Sequence, residues 1–241
     1  MIKALLFDLN GTLIDILTSE SDETVYRVTA NFLSYNEVQI SPEKLKEEYF
    51  NILHQQKNES TEQFPEFDVV ALFARIIEKY RVSGSSGGDP AAAARVFRAA
   101  GRYKLELYPQ VRETLLALKP YYRMAAVSDG QSIWALPELA ATGLTRLFET
   151  VTISSDHGFR KPDKRMYEMT LRQMELTPQE VIFVGNDMFR DVYGAHVCGM
   201  KTVFFRSNQG DHDFHGAEAD YIIYNFSELR RAVEFITGRM N

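Results

Sequence analysis

The chain has a single cysteine, Cys198, in 241 residues. No internal disulfide is possible, and a small buried thiol in a reducing cytoplasm is expected. No apolar run approaches the ~20 residues needed to span a bilayer. A signal peptide is not expected either, because the first residues already read as a core strand, without an n-region or cleavage site. An excess of basic residues is also missing. The 27 Lys and Arg against 33 Asp and Glu leave a net charge of −6, which argues against a nucleic-acid-binding face. His196, His212 and His215 form no credible metal spacing and read as structural or exposed. Internal repeats are absent. What is present, 45% hydrophobic and 25% charged residues, is an ordinary globular composition, sufficient for one large domain or a core with a smaller lobe.

Short apolar runs punctuate the chain. From Ile2 to Phe7 only Lys3 is polar, which predicts a strand buried on both faces of a parallel sheet. Further runs occur at 123–128 (RMAAVS), 149–154 (ETVTIS), 181–185 (VIFVG), 202–205 (TVFF) and 221–224 (YIIY). Helical spacing separates them, as at Val111, Leu115 and Leu118. This alternation predicts a doubly wound α/β core. One block breaks the rhythm. Between Asp15 and Leu107 no strand is predicted, and three helical stripes are: Val25, Val28 and Phe32; Leu45, Tyr49 and Ile52; Val69, Phe73, Ile76 and Tyr80. Ser83 to Gly88 reads as a flexible joint, residues 91–100 as a further helix, and Tyr108-Pro109 as the return to the core. The boundaries are therefore 1–14 and 109–241 for an α/β core, with an all-helical lobe inserted at 15–108.

Four constellations fall at or just after strand ends: Asp8-Leu9-Asn10-Gly11-Thr12; Ser128-Asp129-Gly130; Gly158-Phe159-Arg160-Lys161-Pro162-Asp163; and Gly185-Asn186-Asp187-Met188-Phe189-Arg190-Asp191. Carboxyl ends of parallel strands lie side by side, so these residues should converge on the crevice where open α/β sheets bind ligands. Together they supply a carboxylate able to act as nucleophile, a hydroxyl, a cation and an acidic pair. That set suits an anionic substrate and Mg²⁺, which favours hard oxygen ligands. Asp8 and Asp187 could ligate the ion, Lys161 would offset the gathered negative charge, and Ser128 with nearby amides could hold phosphate oxygens.

In order and spacing the four constellations resemble the motifs of the haloacid dehalogenase-like hydrolases, over residues 2 to about 224. The inserted lobe resembles that family's helical C1 cap. The resemblance implies an Mg²⁺-dependent phosphatase acting on a small phosphorylated metabolite through an aspartyl-phosphate. It gives Asp8 as nucleophile, Ser128 as the phosphate-binding hydroxyl with Asp129 and Gly130 beside it, and Lys161 as the lysine that steadies nucleophile and phosphoryl group. It gives Asp8, the Asn10 carbonyl, Asp187 and Asp191 as metal ligands, with Asn186 the alternate to Asp187. Asp191 fits direct ligation or the orienting of Lys161 equally. Asp163 is expected to cap the following helix, and Asp129 is either a turn residue or a site wall.

Asn10 departs from the pattern, since phosphatases of the family usually place there an Asp that serves as general acid and base. An amide cannot give a proton to a leaving oxygen, and loss of a general acid typically costs about 10²–10⁴-fold. Three explanations stay open: a native slow phosphatase or one with a good leaving group, an Asp→Asn change made to hold a substrate, or a pocket used for binding with little turnover. The 2-haloacid dehalogenases share the fold, but usually carry an aromatic residue at this position and lack an acid-rich fourth loop. Phosphonate hydrolases usually have Ala there and recruit a cap lysine, for which Lys57 is the candidate. Asp15 reads as a solvated linker, His54 and Lys57 as a solvated helix end, and Trp134 and Phe148 as packing. Neither the substrate nor the oligomeric state is legible.

Overall fold

The computed structural model describes residues 1–85 and 87–238; Ser86 of the expected joint lies outside them. Its centre is a six-stranded sheet of β1 (Ala4–Phe7), β4 (Arg123–Ser128), β5 (Thr150–Ile153), β6 (Val181–Gly185), β7 (Lys201–Phe205) and β8 (Tyr221–Ile223). All neighbours are parallel, in the order β5-β4-β1-β6-β7-β8. Counted in chain order within the sheet, this is the doubly wound arrangement in which the strand order reverses beside β1.

The apolar runs form central strands because both of their faces are covered. Leu5 and Phe7 of β1 pack with Met124, Ala126, Ile182 and Val184 against α5 (Val111–Leu118) and α9 (Leu229–Ile236). Ala4 and Leu6 point the other way, with Ala125, Val127, Val181 and Phe183, toward α7 (Lys164–Met174). The two-residue side-chain period of a strand thus divides each run between two hydrophobic layers.

The helical block holds α1 (Glu23–Tyr35), α2 (Pro42–Glu59), α3 (Val69–Tyr80) and α4 (Pro90–Gly101). It has its own apolar centre, where Tyr49 and Phe97 stack at 4.5 Å between ring centroids. Each helix starts at a side-chain cap from Asp22, Ser41, Asp68 or Asp89. Trp134, carried by α6 (Ser132–Ala141) of the core, reaches into this centre and donates its indole N–H to the Ala94 carbonyl at 2.8 Å.

Three expectations need correction. The inserted segment is not strand-free: β2 (Ile14–Thr18) and β3 (Arg102–Leu107) form an antiparallel ribbon where the chain leaves and re-enters the core. Its alternation of apolar and polar residues spans only a few positions, and its far end, at Leu17, Thr18, Arg102 and Tyr103, is exposed. In α1 the buried stripe runs through Val25, Tyr26, Thr29, Ala30 and Leu33, leaving Val28 exposed, because the stripe lies one position along from the predicted one. Asp15 is buried rather than solvated: its carboxylate accepts from Lys104 Nζ at 2.5 Å and Gln209 Nε2 at 3.0 Å, bracing the ribbon against the core. Among the described residues no helix is long and apolar enough to cross a membrane.

Candidate active site

β1 ends at Phe7, level with Ala126 of β4 and Val184 of β6. The Asp8 amide still donates to the Val184 carbonyl at 3.0 Å, so Asp8 emerges at the strand-order reversal. Gly11 then turns the chain back with φ +85°, and a Cβ there would lie 2.4 Å from the Asn186 amide nitrogen. Glycine is required on both counts. The turn aims the Thr12 hydroxyl at two oxygens, Asp8 Oδ2 and Asn186 Oδ1, each at 2.9 Å.

Lys161, almost fully buried, brings the third constellation to the first. Its Nζ donates to Asp8 Oδ1 and to Asp191 Oδ1, both at 2.7 Å. Burial opposes the charge on this lysine, but Asp191 and Asp8 outweigh it and hold the ammonium above its ordinary pKa. Burial pushes the Asp191 carboxyl up, aided by the nearby Asp8 charge and opposed by Lys161. The other Asp191 oxygen accepts from the amides of Asn186 at 2.9 Å and Asp187 at 3.0 Å, so Asp191 organises the loop after β6 as well as the lysine.

Asp187 is differently occupied. Its Oδ1 accepts from the amides of Phe189 and Arg190, capping the helical turn at 188–193. Its Oδ2 accepts from Arg190 Nε at 2.9 Å, the Arg190 guanidinium again at 2.6 Å and the Asp211 amide at 3.1 Å. Burial works against its charge, yet Arg190 holds its pKa below the ordinary value. Among the described residues five donors surround this carboxylate, whereas the Asn186 side-chain oxygen has only the Thr12 hydroxyl.

Ser128 ends β4, fully buried, its hydroxyl 3.4 Å from the Asp129 carbonyl; the cap position of α6 falls to Gln131 instead. Asp129 accepts the Lys161 amide at 2.9 Å and lies 3.5 Å from Arg160 Nε. The Gly130 amide donates to Ser154 Oγ at 2.9 Å. Asp163 caps α7, accepting from the Arg165 amide at 3.0 Å. Cys198 is half-buried, and burial pushes its thiol up to about 11, which leaves it protonated. His54 is exposed, and Trp134 and Phe148 pack in hydrophobic clusters, as expected.

Between block and core lies a cavity of about 310 Å³ whose lining includes Asn10, Lys57, Glu66, Asp129, Gly130 and Arg160. Glu66, Gln131 and Arg190 had no place among the expected site residues. Glu66 and Gln131 belong to no spacing pattern and enter only through tertiary packing. Arg190 lies inside the fourth constellation, where its three-residue separation from Asp187 was the available signal. The block is fastened here by a bridge between Pro65 and Phe159, by Gln131 bonding both Phe67 and Val69, and by an ion pair of Arg165 with Glu62.

The donor set fits a hard divalent cation. Thr12 has one hydroxyl proton for the two oxygens of Asp8 and Asn186 beside it, and a cation on those oxygens would satisfy the one left over. The fit is sparse: among the described residues no group of three or more His, Cys, Asp or Glu could hold a metal ion.

The chain belongs to the haloacid dehalogenase-like hydrolases, whose family model matches residues 2–199. It is 29% identical to the glyceraldehyde 3-phosphate phosphatase of Pyrococcus furiosus, over 98% of this chain and 95% of that protein. It is likewise 29% identical to the Escherichia coli 5-amino-6-(5-phospho-D-ribitylamino)uracil phosphatase, over 87% of this chain and 86% of that one. Among solved structures it resembles a phosphatase of this family from Thermococcus onnurineus (TM-score 0.64, 23% identity, 96% of this chain and 98% of that one). It also resembles the 2-haloacid dehalogenase of Pseudomonas syringae (TM-score 0.66, 20% identity, 98% of this chain and 100% of that one).

Proposed function

We propose that the protein is an Mg²⁺-dependent phosphatase that hydrolyses a small phosphorylated metabolite through an aspartyl-phosphate on Asp8. The observation that carries this reading is the junction of Asp8, Lys161 and Asp191, with the lysine 2.7 Å from both carboxylates. The family membership and the phosphatase names of the relatives support hydrolysis of a phosphoric monoester.

In this reading an Asp8 carboxylate oxygen attacks phosphorus while Lys161 steadies the carboxylate and offsets charge on the transferring group. The Ser128 hydroxyl and the amides after it hold the phosphate oxygens. The ion would be held by Asp8, the Asn10 carbonyl and the Asn186 side-chain oxygen. Asn186 replaces Asp187 in this role because Asp187 is spent on Arg190 and on capping. Asp191 positions Lys161 rather than touching the ion. Bound Mg²⁺ would neutralise phosphate charge and orient the group for in-line attack. Residues 15–108 act as a cap that encloses the 310 Å³ cavity and excludes water from the first step.

Hydrolysis of p-nitrophenyl phosphate with Mg²⁺ and with EDTA tests the reading, on this chain and on Asp8→Asn and Asn10→Asp. Turnover in Mg²⁺, its loss in EDTA and its loss in Asp8→Asn are expected, with activity kept in Asn10→Asp. Undiminished turnover in EDTA overturns the metal. Activity surviving in Asp8→Asn overturns the covalent route. Chloride release from a 2-chloroacid without metal would make the protein a dehalogenase instead.

A further inference from the structure

Asn10 leaves the site without a proton donor at the usual position, and the cavity offers one from elsewhere. Glu66 lies on the loop between α2 and α3, outside the four constellations, yet its carboxyl group is buried in the wall of the cavity that Asn10 also lines. The loop is held in register with the lysine loop by main-chain bonds, Glu66 N to Gly158 O at 3.0 Å and Arg160 N to Phe64 O at 2.9 Å. Its Oε2 accepts from Ser154 Oγ at 2.7 Å, and the same hydroxyl oxygen accepts from the Gly130 amide. One hydroxyl therefore separates Glu66 from the turn beside Ser128.

The surroundings set its protonation. Burial pushes the carboxyl pKa above the ordinary glutamate value, and Asp129 adds to this. Arg160 opposes it, but Arg160 Nε stands 4.0 Å away and is shared with Asp129. The Ser154 hydroxyl and the Phe67 amide oppose it more weakly. Of the other charged groups lining the cavity, Arg98 is held by Glu138, and Lys57 and Glu20 bring one charge of each sign. A buried glutamate whose surroundings favour the protonated form, in the wall of the cavity that Asn10 also lines, is suited to giving and taking a proton.

We propose that Glu66, delivered from the helical block, is the general acid and base that Asn10 cannot be. The proposal rests on the phosphatase reading. As an Asp8 oxygen bonds to phosphorus and the ester P–O bond breaks, the leaving oxygen keeps the electron pair and takes the Glu66 proton. In the second step the Glu66 carboxylate takes a proton from water, whose oxygen bonds to phosphorus as the bond to Asp8 breaks. Phosphate leaves, and both carboxyl groups return to their starting states. Catalysis then requires the block to be seated.

The test is kcat/KM for phenyl phosphate and for p-nitrophenyl phosphate, whose leaving group needs no proton. Glu66→Gln keeps one oxygen, for the Phe67 amide, and its amide nitrogen can donate to Ser154 Oγ, whose own proton can turn to the Gly130 carbonyl. It should lower the phenyl phosphate value about 10²-fold and the p-nitrophenyl phosphate value less than about threefold. It should also abolish the fall in the phenyl phosphate rate at high pH. Adding Asn10→Asp to Glu66→Gln should restore at least about tenfold of the loss, a rescue that a merely structural role would not give. Formate should partly rescue Glu66→Ala. Equal losses on both substrates, no loss on either, or no rescue overturn the role of Glu66 while leaving the phosphatase reading intact. That reading fails separately, if Asp8→Asn keeps its activity.

Discussion

Two cations sit near the seam between helical block and sheet, Lys161 buried and Arg98 partly so, and their company differs. Lys161 serves two carboxylates, Asp8 and Asp191, at equal distance. Arg98 grips the single carboxylate of Glu138 with two nitrogens, at 2.7 and 3.1 Å, and Arg102 approaches the same group at 3.6 Å. The first cluster carries surplus negative charge; the second, two cations on one carboxylate, carries none and joins α4 to α6. A joint gains from a fully neutralised carboxylate. In the chemistry proposed, a site that takes up a cation and releases a nucleophile gains from leaving its carboxylates incompletely neutralised.

The largest effect should come from the unbalanced cluster. Lys161→Met leaves two buried carboxylates without their cation. We expect turnover of p-nitrophenyl phosphate to fall by about 10³-fold or more, together with a lower melting temperature. A near-normal rate would mean that the lysine, too, is only a joint. Glu138→Ala should act on stability instead: it leaves the partly buried Arg98 guanidinium without its carboxylate and should cost roughly 3 kcal/mol by urea denaturation. Its kcat per folded molecule should stay within about threefold of the unmodified chain, since Glu138, although it lines the same cavity, is bonded to Arg98 and takes no part in the chemistry proposed. The smallest effect concerns the sparse metal site. Asn186→Asp adds a charged oxygen beside Asp8 and should lower the Mg²⁺ concentration for half-maximal activity by about tenfold. No change there would turn attention back to Asp187.

The legibility of this molecule follows the range of the interactions. The six strands of the sheet were readable because burial in a parallel sheet demands apolar runs, and the meeting of Asp8 with Lys161 was readable because segments at the strand ends of a parallel sheet must converge. The β2–β3 ribbon was not, since each strand is short and its far end faces water. Asp187 looked the better ligand because it is charged, but local capping and Arg190 claim that charge, which becomes visible only with the loop folded. Asp15 looked solvated until Lys104 and Gln209, far along the chain, closed over it. Glu66 gave no signal, because its surroundings come from Ser154 and Arg160, about ninety residues away in sequence.

The chain contains one tryptophan, and it sits at the seam. Trp134 is anchored in the sheet-bearing half, stacks on Phe97 of the block with ring centroids 6.3 Å apart, and lies under the Arg98 guanidinium at 5.1 Å. Its emission will therefore respond to separation of the two halves, which exposes the indole to water, and hardly to loosening elsewhere. The protein carries its own fluorescent gauge of opening, usable in stopped flow without a label.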